Sequence, residues 1–196
     1  MRRRLSKPSS PSPALARLGL ATPPPFVGRN RELNELIDAL TGSPLLVVNG
    51  AVGSGKTRLA GELAKRIENS LQVTRVACAP GDLGIAVAAR CERAMDRMPG
   101  SLDAVLASEA RLIIVDDVHH LPQVDVVRLV RSVADRPGAG RLLLLTRDIL
   151  PLPRSDARQF SLTLEGLDEA SARDLWAHLE ELYGPTGHEA CDLAVS

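Results

Sequence analysis

The sequence predicts a three-layer α/β/α domain built on a five-stranded parallel sheet. Residues 44–49 (PLLVVN), 112–115 (LIIV) and 142–146 (LLLLT) are short runs, apolar almost throughout. A strand carries such a run when both of its faces are buried, as they are in a parallel sheet. Between the runs lie longer stretches with apolar residues at helical spacing, so strands and helices alternate and helices must cover both faces of the sheet. A glycine-rich segment ending in Lys56-Thr57 joins the first run to the helix behind it.

Taken in order, Leu33, Leu36, Ile37 and Leu40 recur at i, i+3, i+4 and i+7, which predicts an amphipathic helix that Gly42 ends. Pro44 to Asn49 is the first strand. The next helix runs from about Lys56 to Asn69, with Leu59, Ala60, Leu63 and Ile67 on one face. Gln72 to Cys78 is the second strand, and residues 79–108 hold two helices broken at Pro99-Gly100. Leu112 to Val115 is the third strand. Pro122 suits the first turn of a helix whose Val126, Leu129, Val130 and Val133 face inward. Pro137-Gly138-Ala139 turns the chain into a fourth strand, Leu142 to Thr146. Phe160, Leu162 and Leu164 alternate with polar residues, which fits a fifth strand at an edge with one face wet. A last helix starts near Asp168, with Ala172, Leu175, Trp176, Leu179 and Leu182 on one side.

The expected domains are a tail over 1–25, a nucleotide-binding domain over 26–165, and over 166–196 the beginning of a helical subdomain that stops inside a fresh helix. The tail has six of the fourteen prolines, four serines and no acid. It cannot bury enough apolar surface to offset its ordering entropy and reads as disordered. Its basic, serine-containing composition also fits an organelle transit peptide, against a cytoplasmic location for the domain itself.

Charge and composition exclude several classes. The 24 basic and 24 acidic residues cancel, but Arg2, Arg3, Arg4, Lys7 and Arg17 all lie in the tail, so residues 26–196 carry 19 basic against 24 acidic groups. A broad basic surface for duplex DNA is not expected. Four aromatic residues (Phe26, Phe160, Trp176, Tyr183) are too few for base-stacking platforms. No apolar run approaches the roughly 18 residues of a membrane span. Cys78, Cys91 and Cys191 are odd in number and widely spaced, giving neither a disulfide framework nor zinc spacing; they read as reduced thiols. His119 and His120 read as loop residues.

The chemistry concentrates in three places. Gly50-Ala51-Val52-Gly53-Ser54-Gly55-Lys56-Thr57 is a complete G-x-x-x-x-G-K-[ST] motif between a predicted strand and a predicted helix. Its backbone N–H groups, with that of Arg58 behind them, form a concave turn for phosphate, and the helix adds its positive end. Lys56 is expected at the β- and γ-phosphates, and the Thr57 hydroxyl on Mg²⁺. Asp116 and Asp117 emerge where the third strand leaves the sheet, at the carboxyl edge where ligands sit in open α/β folds. Asp116 is expected to hold the Mg²⁺ and Asp117 to orient or deprotonate the attacking water. Arg147 follows the fourth strand directly and can meet a γ-phosphate at the same edge; an ordinary surface arginine paired with Asp148 is the alternative. Lys56, Asp116, Asp117 and Arg147 are thus the candidate catalytic set.

Phe26-Val27-Gly28-Arg29, GAVGSGKT, LIIVDD, LLLLTRD and Leu164-Glu165-Gly166-Leu167-Asp168-Glu169-Ala170 follow one another in an order that resembles the nucleotide-binding domain of STAND-class signalling ATPases, the NB-ARC group and its bacterial relatives. The resemblance spans about residues 25–182. It implies a P-loop NTPase with sheet order 5-1-4-3-2, so that the Arg147 strand lies between the phosphate-loop strand and the Asp116 strand. It also implies ATP or ADP with Mg²⁺ as ligands, contact of Val27, Gly28 and Arg29 with the adenine and ribose side, and Arg147 as sensor of the third phosphate. The implied function is a nucleotide-dependent switch with slow ATP hydrolysis. Family members continue into a helical lid, a winged-helix domain and repeat arrays; without them, weak binding, slow or absent turnover, and dependence on other chains or sensor domains are expected. Two other readings remain open: a subunit of an AAA+ ring ATPase, which would favour Asp-Glu over Asp116-Asp117, and an N-terminal piece of an ATP-dependent transcriptional regulator.

Overall fold

The computed structural model describes residues 25–134, 138–152 and 158–183. The expectations for the tail, for Pro137 and for the chain after Tyr183 lie outside the described residues. Residues 28–167 form one compact unit, and Asp168 with the last helix belongs to another.

In the first unit the elements are α1 (Asn30–Gly42), β1 (Leu45–Asn49), α2 (Lys56–Ile67), β2 (Gln72–Ala77), α3 (Gly84–Ala94), α4 (Leu102–Ser108), β3 (Arg111–Asp116), α5 (Gln123–Ala134), β4 (Arg141–Thr146) and β5 (Gln159–Thr163). The five strands form one sheet in the order β2-β3-β4-β1-β5, every pair parallel. Read from the other edge, this is the order that the resemblance implies. Pro122 differs slightly from expectation. Its carbonyl accepts the backbone bonds of Asp125 and Val126, so it caps α5 from just outside the first turn.

Successive side chains of a strand point to opposite faces, and here both faces are dry. Val47, Ile113, Val115, Leu142 and Leu144 meet Val87, Cys91, Val105, Val126, Leu129 and Val130 from α3, α4 and α5 in one core. The alternate residues Leu46, Ile114, Leu143 and Leu145 are fully buried too, as are Leu33, Leu36, Leu59 and Leu63 of α1 and α2. Each such side chain contributes about 1.5–3 kcal/mol by leaving water, which holds the three central strands rigid. β5, by contrast, alternates exposed and half-buried positions, as an edge strand with one wet face does.

Parallel pairing places all strand ends of one polarity on one edge. The register sets Asn49 of β1 beside Thr146 of β4, and Val115 of β3 beside Leu144. The exits toward Gly50, Asp116 and Arg147 therefore share a rim, which is what positions the site.

In the second unit, α6 (Glu169–Tyr183) is capped by Asp168, whose carboxylate accepts bonds from the Ser171 N–H and hydroxyl, both at 2.8 Å. Those bonds hold the Asp168 carboxyl below its ordinary pKa. Among the described residues no helix is long and apolar enough to cross a membrane.

Candidate functional site

β1 delivers the chain into the loop Gly50–Gly55, and α2 begins at Lys56. Gly50 is buried, and a Cβ on it would stand 2.4 Å from the Leu164 carbonyl oxygen, so no other residue lets the loop leave the sheet here. Gly53 and Gly55 have φ of 82° and 94°, left-handed backbone that glycine adopts freely. Ala51, Val52, Gly53 and Gly55 are exposed. Ser54 Oγ is buried and has no hydrogen-bond partner among the described residues.

Lys56 is 9% exposed, and its Nζ donates to the carbonyls of Gly50 and Ala51, each at 2.7 Å. Burial pushes the ammonium below the ordinary lysine pKa; the negative charges of Asp116 and Asp117 pull it back up, and Arg147 pushes it down again. These groups therefore feel one another across the rim. Contact is direct at the next position: the Thr57 hydroxyl donates to Asp116 Oδ2 at 2.7 Å, across 59 residues of chain. The other Asp116 oxygen accepts the Asp117 N–H at 2.9 Å.

Asp117 is half-exposed and has φ of 56°, the left-handed region. A one-turn 3-10 segment, Val118–His120, follows it. Arg147 is exposed just past Thr146. Lys56, Thr57 and Asp116 thus stand together, with Asp117 and Arg147 at the same edge.

Two of the other candidates, Arg29 and Arg58, have partners of their own. The Arg29 guanidinium is buried, donating to Glu32 at 2.7 Å and to the Glu165 carbonyl. Arg58 turns along α2 to Glu62 at 3.2 Å. Gly28 is exposed with φ of 70°, and Val27 belongs to the other unit.

One residue that sequence reasoning left in a loop belongs to this edge. His119 Nδ1 lies 3.8 Å from Asp117 Oδ1. Burial lowers its pKa, helped by His120 and Arg147 and opposed by Asp117 and Asp148. The signal available in the sequence was its place, two residues past the second acid at a strand exit.

The described cysteines carry no chemistry here. Cys78 and Cys91 are buried, with thiol pKa values pushed up by that burial to about 12 and about 11; such thiols stay protonated and inert. Among the described residues no cluster of three or more His, Cys, Asp or Glu side chains could hold a metal.

Residues 25–189 match the family described as the AAA ATPase domain. Among curated proteins nothing matches. Of solved structures, Cdc6p from Pyrobaculum aerophilum aligns with a TM-score of 0.63 at 13% identity, over 81% of this chain and 51% of that one. Domain III of the replication initiation protein DnaA from Thermotoga maritima aligns at 0.53 and 17% identity, over 88% and 81%. A STAND protein with a tetratricopeptide repeat sensor from Pyrococcus horikoshii aligns at 0.50 and 20% identity, over 84% of this chain and 26% of that protein. The chain spans about half the length of the first and about a quarter of the last. At these identities the likeness is one of fold.

Proposed function

The chain belongs to the family of AAA ATPase domains, and from that premise we propose that it is a nucleotide-operated switch of the STAND type, which binds Mg-ATP and hydrolyses it slowly. The observation that carries the reading is the 2.7 Å bond from Thr57 to Asp116, because it unites the phosphate loop and the acidic strand end on one rim. The residues also fit a magnesium nucleotide. Ser54 Oγ is a buried polar atom without a partner among the described residues, and a Cβ at Gly53 or Gly55 would meet nothing within 4 Å. A hydroxyl paired with one carboxylate is the small donor set suited to Mg²⁺, which keeps several waters and phosphate oxygens of its own.

Thr57 and Asp116 would hold the ion. When bound, it supplies the positive charge that neutralises the β- and γ-phosphate oxygens. The backbone N–H groups from Ala51 to Arg58 cradle the phosphates, and Lys56 turns an N–H toward the β- and γ-oxygens. Asp117 orients the attacking water and takes its proton as the bond between the γ-phosphorus and the departing ADP oxygen breaks. Arg147 reads the third phosphate and so distinguishes ATP from ADP. Val27, Gly28 and Arg29 border the base and ribose, Arg29 by holding that segment to Glu165 rather than by touching ligand. Asp117 stands where a ring ATPase would carry the longer Glu, and its shorter reach suits slow turnover. Residues 26–165 act as the nucleotide-binding part, and α6 belongs to a helical part. Other chains or sensor domains in the cytoplasm supply the signal.

Calorimetric titration with ATP and ADP, with and without Mg²⁺, tests the reading. The wild-type chain binds both nucleotides and Lys56→Ala binds neither; an unchanged ATP affinity in Lys56→Ala overturns the assignment.

A further inference from the structure

Helices α3, α4 and α5 border a cavity of about 540 Å³, and none of the residues lining it belongs to the phosphate loop. That volume falls in the range of small-molecule sites, which combine apolar walls with a few fixed polar groups. Ala88 of α3, Leu102 of α4 and Leu129 of α5 supply apolar wall here. Glu92 and Asp125 add two buried carboxylates, 3% and 7% exposed. Each is pinned by the first amide of a neighbouring helix. The Leu102 N–H donates to Glu92 Oε1 at 2.9 Å, and the Gly84 N–H to Asp125 Oδ2 at 2.9 Å.

The two acids differ in what balances their charge. Asp125 Oδ1 has the Arg128 guanidinium at 3.3 Å, whereas Glu92 has no ion-pair partner among the described residues. Arg131 stands on the same wall, exposed and not paired with it. Among the described residues the only hydrogen bond of the Glu92 carboxylate is the one at Oε1. Oε2 is without a partner and is not sealed in as the orphaned buried atoms are, so it faces the cavity that Glu92 lines. Glu92 also lies in the last turn of α3, where the helix dipole opposes a negative charge. Capping explains part of its presence, because Ser101 places no side-chain bond on the start of α4 and Glu92 does so instead. A cap needs only an oxygen, which a neutral glutamine also has. Buried charges are ordinarily paired as well as hydrogen-bonded, and at Glu92 the cation is missing.

We propose that this cavity binds a small aliphatic amine in its ammonium form, the head donating to Glu92 Oε2 and the alkyl chain lying along Ala88, Leu102 and Leu129. The acids around the cavity form no group that could hold a metal ion, among the described residues, and its apolar wall matches methylenes rather than a hydrated ion. With Oε1 committed to the Leu102 amide, one oxygen is free. That suits the point charge of an ammonium better than the fork of a guanidinium, which takes both oxygens. Ala88 precedes Glu92 by about one helical turn, about 6 Å along the axis, the reach of about five carbons. The site requires nothing of the phosphate loop or of ATP hydrolysis.

Pentylammonium is titrated into the full chain, with 1-pentanol as its neutral match and a capped lysine tripeptide as the same head on a polypeptide. Methyl resonances of ¹³C-labelled alanine and leucine report place and affinity, and thermal melting reports folding. Wild type is expected to saturate with pentylammonium, with shifts at Ala88, Leu102 and Leu129. Glu92→Gln keeps an oxygen for the Leu102 amide and nearly the same shape. It should melt close to wild type and bind pentylammonium about tenfold more weakly, as the loss of one charged hydrogen bond implies. 1-Pentanol should bind wild type no better than pentylammonium binds Glu92→Gln. Ala88→Leu keeps the carboxylate and fills the wall, so it should lose pentylammonium as well; it decides the matter if Glu92→Gln does not fold. Equal pentylammonium affinity in wild type and Glu92→Gln, binding retained by Ala88→Leu, or 1-pentanol binding as tightly as the amine overturns the inference. So does titration without shifts at the three wall residues. A lysine tripeptide that binds where pentylammonium does not also overturns it, and makes the cavity a docking point for a protein side chain.

Discussion

Replacing Thr57 by valine removes one hydroxyl and keeps the side chain's shape, so it isolates the contact between the phosphate loop and the acidic strand end. In the structure that hydroxyl donates to Asp116 Oδ2 at 2.7 Å, and Asp116 is 8% exposed. A hydrogen bond to a charged group is worth about 1.5–3 kcal/mol; because Thr57 itself is exposed, the lower figure applies. For a chain of this size each kcal/mol moves Tm by roughly 2–4 °C, so Thr57→Val without nucleotide should melt about 3–6 °C below wild type. Titration with ATP alone should show little change, because the loop N–H groups and Lys56 remain. The gain in affinity that wild type obtains on adding Mg²⁺ should be lost. The companion Asp116→Asn breaks the same pair from the other side. The double variant should therefore cost less than the two single changes added together. Full additivity, or a Mg²⁺ gain in Thr57→Val equal to that of wild type, would refute the claim that these two side chains form one ion-holding unit.

Arg147→Ala should lower affinity for ATP about tenfold, the equivalent of about 1.4 kcal/mol, and leave ADP affinity alone; competition titrations with the two nucleotides measure the ratio. An unaltered ratio returns Arg147, exposed beside Asp148, to the status of a surface charge. The ion pair of Asp82 with Arg90, together with the Ala79 N–H, holds the Asp82 carboxyl at about 2, below its ordinary 3.8. A lowered folded-state pKa gives stability that is fully present above the unfolded value and lost as pH falls through the folded one. The difference in Tm between wild type and Asp82→Asn should therefore be largest above pH 4, shrink as pH falls from 4 toward 2, and vanish only below pH 2; a gap that does not shrink between pH 4 and pH 2 assigns the effect to packing.

What could be read in advance was what local chemistry decides. β1, β3 and β4 are buried on both faces, and their apolar runs announce them; α2 follows a loop whose glycines and lysine have few other uses. What escaped was decided at long range. Arg111 joins β3, although its type argues for the surface, because its guanidinium meets Thr74 at 3.1 Å and also Gln72 and Glu109. α3 begins at Gly84 because Asp125, 41 residues later, accepts that N–H at 2.9 Å, and a Cβ there would lie 2.7 Å from the Asp125 Cβ. The partner of the Arg29 guanidinium is a carbonyl 136 residues away, which no local pattern announces. His119 had no local reason to be buried; its neighbours are Asp117 beside it and the charges of Arg147 and Asp148 from the next strand exit. Each depends on strand order, which no window of sequence contains.

If the loop takes phosphate as proposed, its resting contacts determine how it yields. An ammonium has three N–H donors, and Lys56 spends two of them on Gly50 and Ala51. The two acceptors are not equal. Gly50 is buried and its amide is tied to the Thr146 carbonyl at 3.3 Å. Stripping Lys56 from the Gly50 carbonyl would leave a buried acceptor unpaired, at about 1–3 kcal/mol. Ala51 is exposed, and its carbonyl keeps the Ser54 N–H at 3.3 Å as a partner when Lys56 leaves it. On the proposed reading, phosphate would be met by the third N–H and by the one released from Ala51, with the bond to Gly50 kept. The lysine has already lost much of its hydration, which is why burial lowers its pKa, and an arriving anion restores the charge balance that burial disturbs. On that reading the loop would yield on its exposed side and keep its anchor to the sheet, at the rim where the ends of β1, β3 and β4 bring Lys56, Asp116 and Arg147.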